Sequence, residues 1–87
     1  MTYRIRWASP ARRAIENTLP EAVAAAVWEF VNGPLAENPH RVGKQLLRDL
    51  GGYWSARRGQ YRVIYVIDDE AIIVTVVAGD HRRDVYR

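Results

Sequence analysis

The segment Arg57-Arg58-Gly59-Gln60-Tyr61-Arg62 brackets a glycine turn with three arginines. If Gly59 and Gln60 are the two central residues of a type II′ hairpin, glycine takes the position that requires positive φ. The register then follows by arithmetic. Arg58 pairs with Tyr61, Arg57 with Arg62 and Ala56 with Val63, so Arg57 and Arg62 stand opposite each other on one sheet face. Like charges at that spacing repel. An anion held between them relieves the repulsion, and paired guanidinium forks match the oxygens of a phosphate. The bland alternative is that each arginine splays away or pairs with Asp49, Asp80 or Asp84.

The tail from Gly79 to Arg87 adds chemistry that the hairpin lacks. His81 is the only group in this half able to exchange protons near neutral pH. Tyr86 is a flat ring among arginines, an arrangement suited to stacking an unpaired base. A tail histidine can equally be a surface residue, and a terminal tyrosine can equally close a core.

Positioning these groups requires a sheet. Thr2 to Trp7 alternates as a strand, with Tyr3, Ile5 and Trp7 on one face and Arg4 and Arg6 on the other. Ser9-Pro10 is expected to cap a short helix running towards Asn17. Thr18 and Pro20 are expected to open a second helix, with Val23, Val27, Phe30 and Val31 on one side. Gly33-Pro34 is expected to end it. Trp28 lies off that stripe and belongs at the edge of the core. Residues 33–52 show no long period; Leu46, Leu47 and Leu50 are expected to pin them, with a short strand near Lys44 to Leu47. The last third reads as a β-meander: Tyr53 to Arg58, Tyr61 to Ile67, an Asp68-Asp69-Glu70 turn, and Ala71 to Ala78. That last run is apolar on both faces and suits a central strand. Two helices on one face of a small antiparallel sheet give an α+β domain in the order β-α-α-β-β-β, spanning residues 1–87.

At 87 residues there is room for one core, burying about 60–65% of the unfolded chain's surface. The absence of cysteine excludes disulfides and thiolate metal sites, and two histidines make a structural zinc improbable. No cofactor is implied. The start lacks the apolar run of a signal peptide, and Ala71 to Ala78 is too short to cross a bilayer, so a cytoplasmic location is the default reading. Charge is segregated. Residues 1–40 are neutral overall, residues 41–62 carry +5, residues 63–80 carry −4 and the last seven carry +2. Two cationic stretches of this kind favour a polyanion partner.

Taken together, these segments resemble the RelE family of bacterial toxins, the endoribonucleases of toxin–antitoxin pairs, with some likeness to the YoeB branch. The resemblance rests on Ser9-Pro10-Ala11-Arg12-Arg13, on Asn38 to Lys44, on Gly52 to Tyr65, and on His81-Arg82-Arg83-Asp84-Val85-Tyr86. It implies helices packed on a sheet whose other face meets messenger RNA on the ribosome, and an antitoxin partner in a hetero-oligomer. It implies cleavage by attack of a 2′-OH on the adjacent phosphate. Arg62 matches the family's strand arginine, expected to stabilise the charged phosphorane, and Arg57 the basic position across the hairpin. Tyr86 matches the C-terminal tyrosine that orients the scissile nucleotide. The tail arginine falls on Arg82 or, with one gap, on His81. Lys44, Arg48, Arg58 and Arg83 are expected to contact RNA.

The chain departs from the family pattern at the base. The lysines of the best-known member are absent from Tyr53 to Arg58, and Lys44-Gln45 stands near where the YoeB branch has glutamate. Arginine is too basic to accept a proton at neutral pH, which leaves His81 first and Lys44 second. Two other readings stay open on sequence alone. One is a ParE-like toxin that inhibits DNA gyrase by protein contact, and the other an inert domain that only binds antitoxin or RNA.

Overall fold

The computed structural model describes residues 2–46 and 52–81, the last two by backbone alone. In chain order the elements are β1 (Arg4–Trp7), α1 (Ser9–Arg13), α2 (Glu21–Phe30), α3 (Pro39–Val42), β2 (Lys44–Gln45), β3 (Trp54–Arg58), β4 (Tyr61–Asp68) and β5 (Ile73–His81).

Prolines, rather than hydroxyl caps, set the helix boundaries. Pro10 lies at the start of α1, whose N-cap is Ala8 and not Ser9; no side chain caps it. A π-helical turn, Ala14–Thr18, extends α1. The chain then stops at Leu19, whose backbone is extended (φ −83°, ψ 146°) because the next residue is proline. Pro20 therefore occupies the N-cap of α2 in place of Thr18, again with no capping side chain.

The alanines of α2 favour the helix, and its stripe faces inward as expected. Val27 and Val31 are buried, while Val23 and Phe30 pack half-buried against the same core. Gly33-Pro34 does not end this helix. A second π turn, Val31–Leu35, carries it through Pro34 to the buried Leu35 and Ala36. Proline lacks an N–H and crowds the carbonyl four residues back, so a widened turn accommodates it where a regular α turn would not. Nδ2 of Asn32 donates to the Trp28 carbonyl at 2.9 Å, an oxygen that the Val31 N–H also reaches.

The sheet runs β1-β5-β4-β3-β2. The β3–β4 register is the expected one: Arg58–Tyr61, Arg57–Arg62 and Ala56–Val63. Gly59 has φ 65°, and Gln60 is not among the residues with positive φ, as a type II′ turn requires. The second turn is longer than expected. Asp68 Oδ1 accepts from the Glu70 and Ala71 N–H groups at 3.1 and 3.0 Å, and Ile72 adopts φ 57°. Accordingly β5 begins at Ile73 rather than Ala71. β1 joins it in parallel, Ile5 beside Val74 and Trp7 beside Val76, so the sheet is mixed rather than wholly antiparallel. Flanked by β1 and β4, β5 is the interior strand its apolar character suggested.

Among the described residues, the helices cover one face of the sheet. Ala11, Val27, Val31 and Leu35 meet Ala56, Tyr61, Val63, Tyr65, Val74 and Val76 there. Two tyrosines lie over two glycines: a Cβ at Gly79 would collide with the Tyr61 hydroxyl, and one at Gly43 with that of Tyr65. The Tyr65 hydroxyl donates to the Pro39 carbonyl at 2.7 Å. Trp28 sits at the core's edge, 51% exposed, and stacks on Trp7 with ring centres 5.5 Å apart. Among the described residues, no helix is long and apolar enough to cross a membrane.

Candidate nucleic-acid interface

Strand alternation assigns the open face of the sheet. The helix-facing set on β4 is Tyr61, Val63 and Tyr65, so Arg62, Ile64 and Val66 point the other way. Arg57 stands opposite Arg62 on the same face, and Ser55 and Lys44 form a neighbouring pair. In a two-residue hairpin the closing pair Arg58–Tyr61 is hydrogen-bonded, which makes Arg57–Arg62 the close pair of the ladder. Their Cα atoms then lie about 4.5 Å apart.

Of the acids that could neutralise these charges, Asp80 is described by its backbone alone, opposite Arg62, and Asp49 and Asp84 lie outside the described residues. Among the described residues, no ion pair engages Arg57, Arg58 or Arg62; the pair found there is His40 with Asp69. Arg62 is half-buried, and its Nε is buried without a hydrogen-bond partner. A buried donor left unmet costs about 1–3 kcal/mol, and more when charged. An acceptor arriving from outside would remove that cost.

Two clefts flank the outer edge of β3, where two-residue β2 leaves Ala56 to Arg58 uncovered. One, of about 400 Å³, has Lys44, Gln45, Ser55 and Arg57 in its wall. The other, about 540 Å³, lies between α2 and the Arg57-Arg58 pair. Arg57 borders both, and Lys44 shares the first with it. Arg58 also lines a groove beside Val23, Ala26 and Val27.

A β-bulge decides where the tail begins relative to this face. Tyr65 pairs with Val76 but Ile64 with Ala78, so Val77 is the extra residue on β5. The slip places Asp80 opposite Arg62 and His81 opposite Tyr61. The cross-strand row is thus Arg57–Arg62–Asp80, with His81 in the adjacent row of Arg58 and Tyr61. Arg48, Arg82, Arg83 and Tyr86 lie outside the described residues, as do Leu47 and Leu50.

Two residues that the site reasoning passed over share the open face. Arg4 and Arg6 alternate with the core-facing Ile5 and Trp7, and both are exposed. The strand alternation that revealed their face was the available signal.

At the far end of β4 a different set of groups is fully engaged. The Tyr3 hydroxyl donates to Asp69 Oδ1 at 2.5 Å, and His40 Nε2 lies 3.1 Å from Asp69 Oδ2. The Tyr3 hydrogen bond, then the His40 charge, hold the Asp69 carboxyl below its ordinary range, and the same bond raises the Tyr3 phenol. His40 meets Trp54 edge-on, and Trp54 stacks on Tyr65. Burial pushes the Tyr65 phenol up to about 12. Among the described residues, no three His, Asp or Glu side chains gather to hold a metal.

Comparison with known proteins agrees with this fold. The family described as "ParE toxin of type II toxin-antitoxin system, parDE" matches residues 3–86. Toxin RelG of Mycobacterium tuberculosis is 49% identical over 87 residues, covering 100% of this chain and 99% of the relative. Toxin RelE of the same organism is 48% identical over 85 residues, covering 98% and 87% respectively. Among solved structures, the M. tuberculosis toxin–antitoxin complex RelBE2 contains a chain that superposes with a TM-score of 0.90. It is 48% identical, covering 94% of this chain and 93% of that one. The chain belongs to the RelE/ParE superfamily, the toxins of type II toxin–antitoxin systems.

Proposed function

We propose that this toxin is a ribosome-dependent endoribonuclease that cuts messages under translation, and that a cognate antitoxin restrains it. The observation that carries the reading is the Arg57–Arg62 pair. Two like charges stand across a ladder with no ion pair among the described residues, and Arg62 Nε is buried without an acceptor. A phosphate, gaining charge as it becomes a phosphorane, supplies what that pair lacks. The relatives named as RelG and RelE toxins, and the RelBE2 toxin–antitoxin complex, support the same reading.

In the reaction, the 2′-oxygen of one nucleotide bonds to the adjacent phosphorus and the bond from phosphorus to the 5′-oxygen breaks. The products are a cyclic phosphate and a 5′-hydroxyl, the leaving oxygen taking its proton from water. Arg62, seconded by Arg57 and by Arg82 of the tail, stabilises the phosphorane. His81 accepts the 2′-OH proton, with Lys44 the next choice; the bulge sets His81 in Tyr61's row, on the face opposite Arg62, so its imidazole has to reach around the end of the sheet. Tyr86 stacks on the scissile nucleotide, and Arg48, Arg58 and Arg83 hold flanking phosphates.

Induction in cells followed by mapping of messenger 5′ ends tests the proposal. New ends within translated regions, with little cutting of naked RNA, are expected. Gyrase-linked DNA breaks without messenger cuts would assign the chain to the gyrase-inhibiting branch instead. Single-turnover assays on programmed ribosomes test the roles. His81→Gln should slow cleavage while binding survives, and parental cleavage would transfer the base to Lys44. Tyr86→Phe should keep the stacking contribution, on the order of 1–3 kcal/mol, that Tyr86→Ala loses.

A further inference from the structure

The first two cationic side chains, Arg4 and Arg6, stand ten or more residues from any acid along the chain. Arg4, Arg6, Arg12 and Arg13 all precede the first acid, Glu16. Two of them, Arg4 and Arg6, stand on β1, an edge strand, at alternate positions. Their neighbours Ile5 and Trp7 pack on the core, so both arginines project from the face that carries Arg57 and Arg62. Both are exposed, and neither makes an ion pair among the described residues.

The sheet fixes how far apart the two arginine sets lie. Arg6 is level with Thr75 on β5 and Val66 on β4; Arg4 is level with Ile73 and Asp68. Arg62 lies four residues from Val66 along β4. Two strand spacings and four or six residue rises put Arg6 roughly 17 Å and Arg4 roughly 22 Å from Arg62, on one diagonal. Arg4 and Arg6 themselves are about 6.6 Å apart. Between the two sets the open face carries the half-buried Ile64, Val66, Ile73 and Val77, with Thr75 among them, while Asp80 stands beside Arg62 at one end and Asp68 is level with Arg4 at the other. The apolar middle offers bases an uncharged surface while the arginines at either end meet phosphates.

We infer that Arg4 and Arg6 form a second phosphate-contact point, which holds an RNA strand lying diagonally across the open face from the Arg57–Arg62 pair. The inference rests on the proposed ribonuclease reading and adds to it a separate affinity site. These arginines bind and do not take part in the chemistry. The phosphates can belong to the messenger or to ribosomal RNA, since the recognising chemistry is the same.

The test compares the parent with Arg4→Gln/Arg6→Gln and Arg4→Lys/Arg6→Lys. Binding to programmed ribosomes, to ribosomes without messenger and to a single-stranded RNA oligonucleotide is titrated over a range of salt. The glutamine pair should weaken binding to programmed ribosomes on the order of 10-fold near 0.1 M salt. It should also flatten the dependence of log K on log salt by about 1.4, the share of two single-strand phosphate contacts. The lysine pair should restore both. Loss shared with the oligonucleotide assigns the contact to messenger, and loss shared with messenger-free ribosomes assigns it to ribosomal RNA. Single-turnover cleavage at saturating toxin should be unchanged, unlike the loss expected for Arg62→Ala. Unchanged binding and slope in the glutamine pair would overturn the inference while leaving the ribonuclease reading intact. So would slower cleavage at saturation with parental binding, or weakened antitoxin binding with parental ribosome binding. A parent that neither binds nor cuts on ribosomes would remove the ribonuclease reading itself, and the inference with it.

Discussion

The two ends of β4 carry opposite charges and treat them in opposite ways. At the acidic end, Asp68 accepts two backbone N–H groups, and Asp69 holds the Tyr3 hydroxyl on one oxygen and His40 on the other. At the basic end, Arg57 and Arg62 face each other with no ion pair among the described residues, and one guanidinium N–H is buried without an acceptor. The same strand, a few residues apart, thus contains a finished network and an unfinished one. The acidic end fastens β1, α3 and the β4–β5 turn together. At the basic end the described groups leave a donor unmet, the pattern expected of a charge cluster kept for a ligand rather than for the fold.

If that contrast is right, changes at the two ends should separate activity from stability. The largest effect is expected from Arg62→Ala. Losing the donor that meets developing charge should slow cleavage by roughly 10²–10³, while thermal melting stays level or rises as the repulsion with Arg57 disappears. Slower cleavage accompanied by unfolding would make Arg62 structural and erase the contrast.

Next in size is an alkaline response from the interior. The Tyr65 phenol is raised from 10.0 to about 12 by burial, so its neutral form favours the folded state. Its stabilisation is complete below pH 10 and is lost as pH rises through the folded value near 12. The loss should amount to roughly 2–3 kcal/mol in denaturant titrations. Tyr65→Phe should remove that alkaline decline. At neutral pH the same substitution should cost about 1–3 kcal/mol, because the Pro39 carbonyl loses its donor. Cleavage at saturation on ribosomes should not change, and a Tyr65→Phe variant that folds but fails to cut would contradict the division.

The smallest effect belongs to Asp69→Asn. Its carboxyl is held below 3.8, so its contribution is present above that value and fades as pH falls through the folded one. The asparagine variant should melt slightly earlier at neutral pH and show a shallower acid decline. Added salt should shrink the difference, since the pair is exposed.

The hairpin was legible in the sequence because glycine at the first central position of a two-residue turn fixes every pair beyond it. The helical stripe of α2 was legible for a similar reason, its period being set by local geometry. What could not be read was set by distant partners. Regular alternation from Ile73 would put His81 on the open face, and only the bulge at Val77, a feature of the β4–β5 match, puts Asp80 in Arg62's row instead. Likewise the helix passes Pro34 because Leu35 and Ala36 gain burial by continuing it. The parallel seat of β1 depends on a strand almost seventy residues away. Of the site, the arginine pair follows from local rules, while Arg4 and Arg6 join its face only once β1 is placed.

That seat of β1 also bears on how the molecule comes into being. Synthesis delivers Ile5 early and its partner Val74 almost seventy residues later, and only β5 can join β1 to β4. A chain still being made can close the β3–β4 hairpin, but it has no interior strand on which to build the sheet. Long-range pairing of this kind is formed late, after the entropy of a long loop has been overcome. The open face therefore takes shape only once β5 has been made and has paired with both β4 and β1.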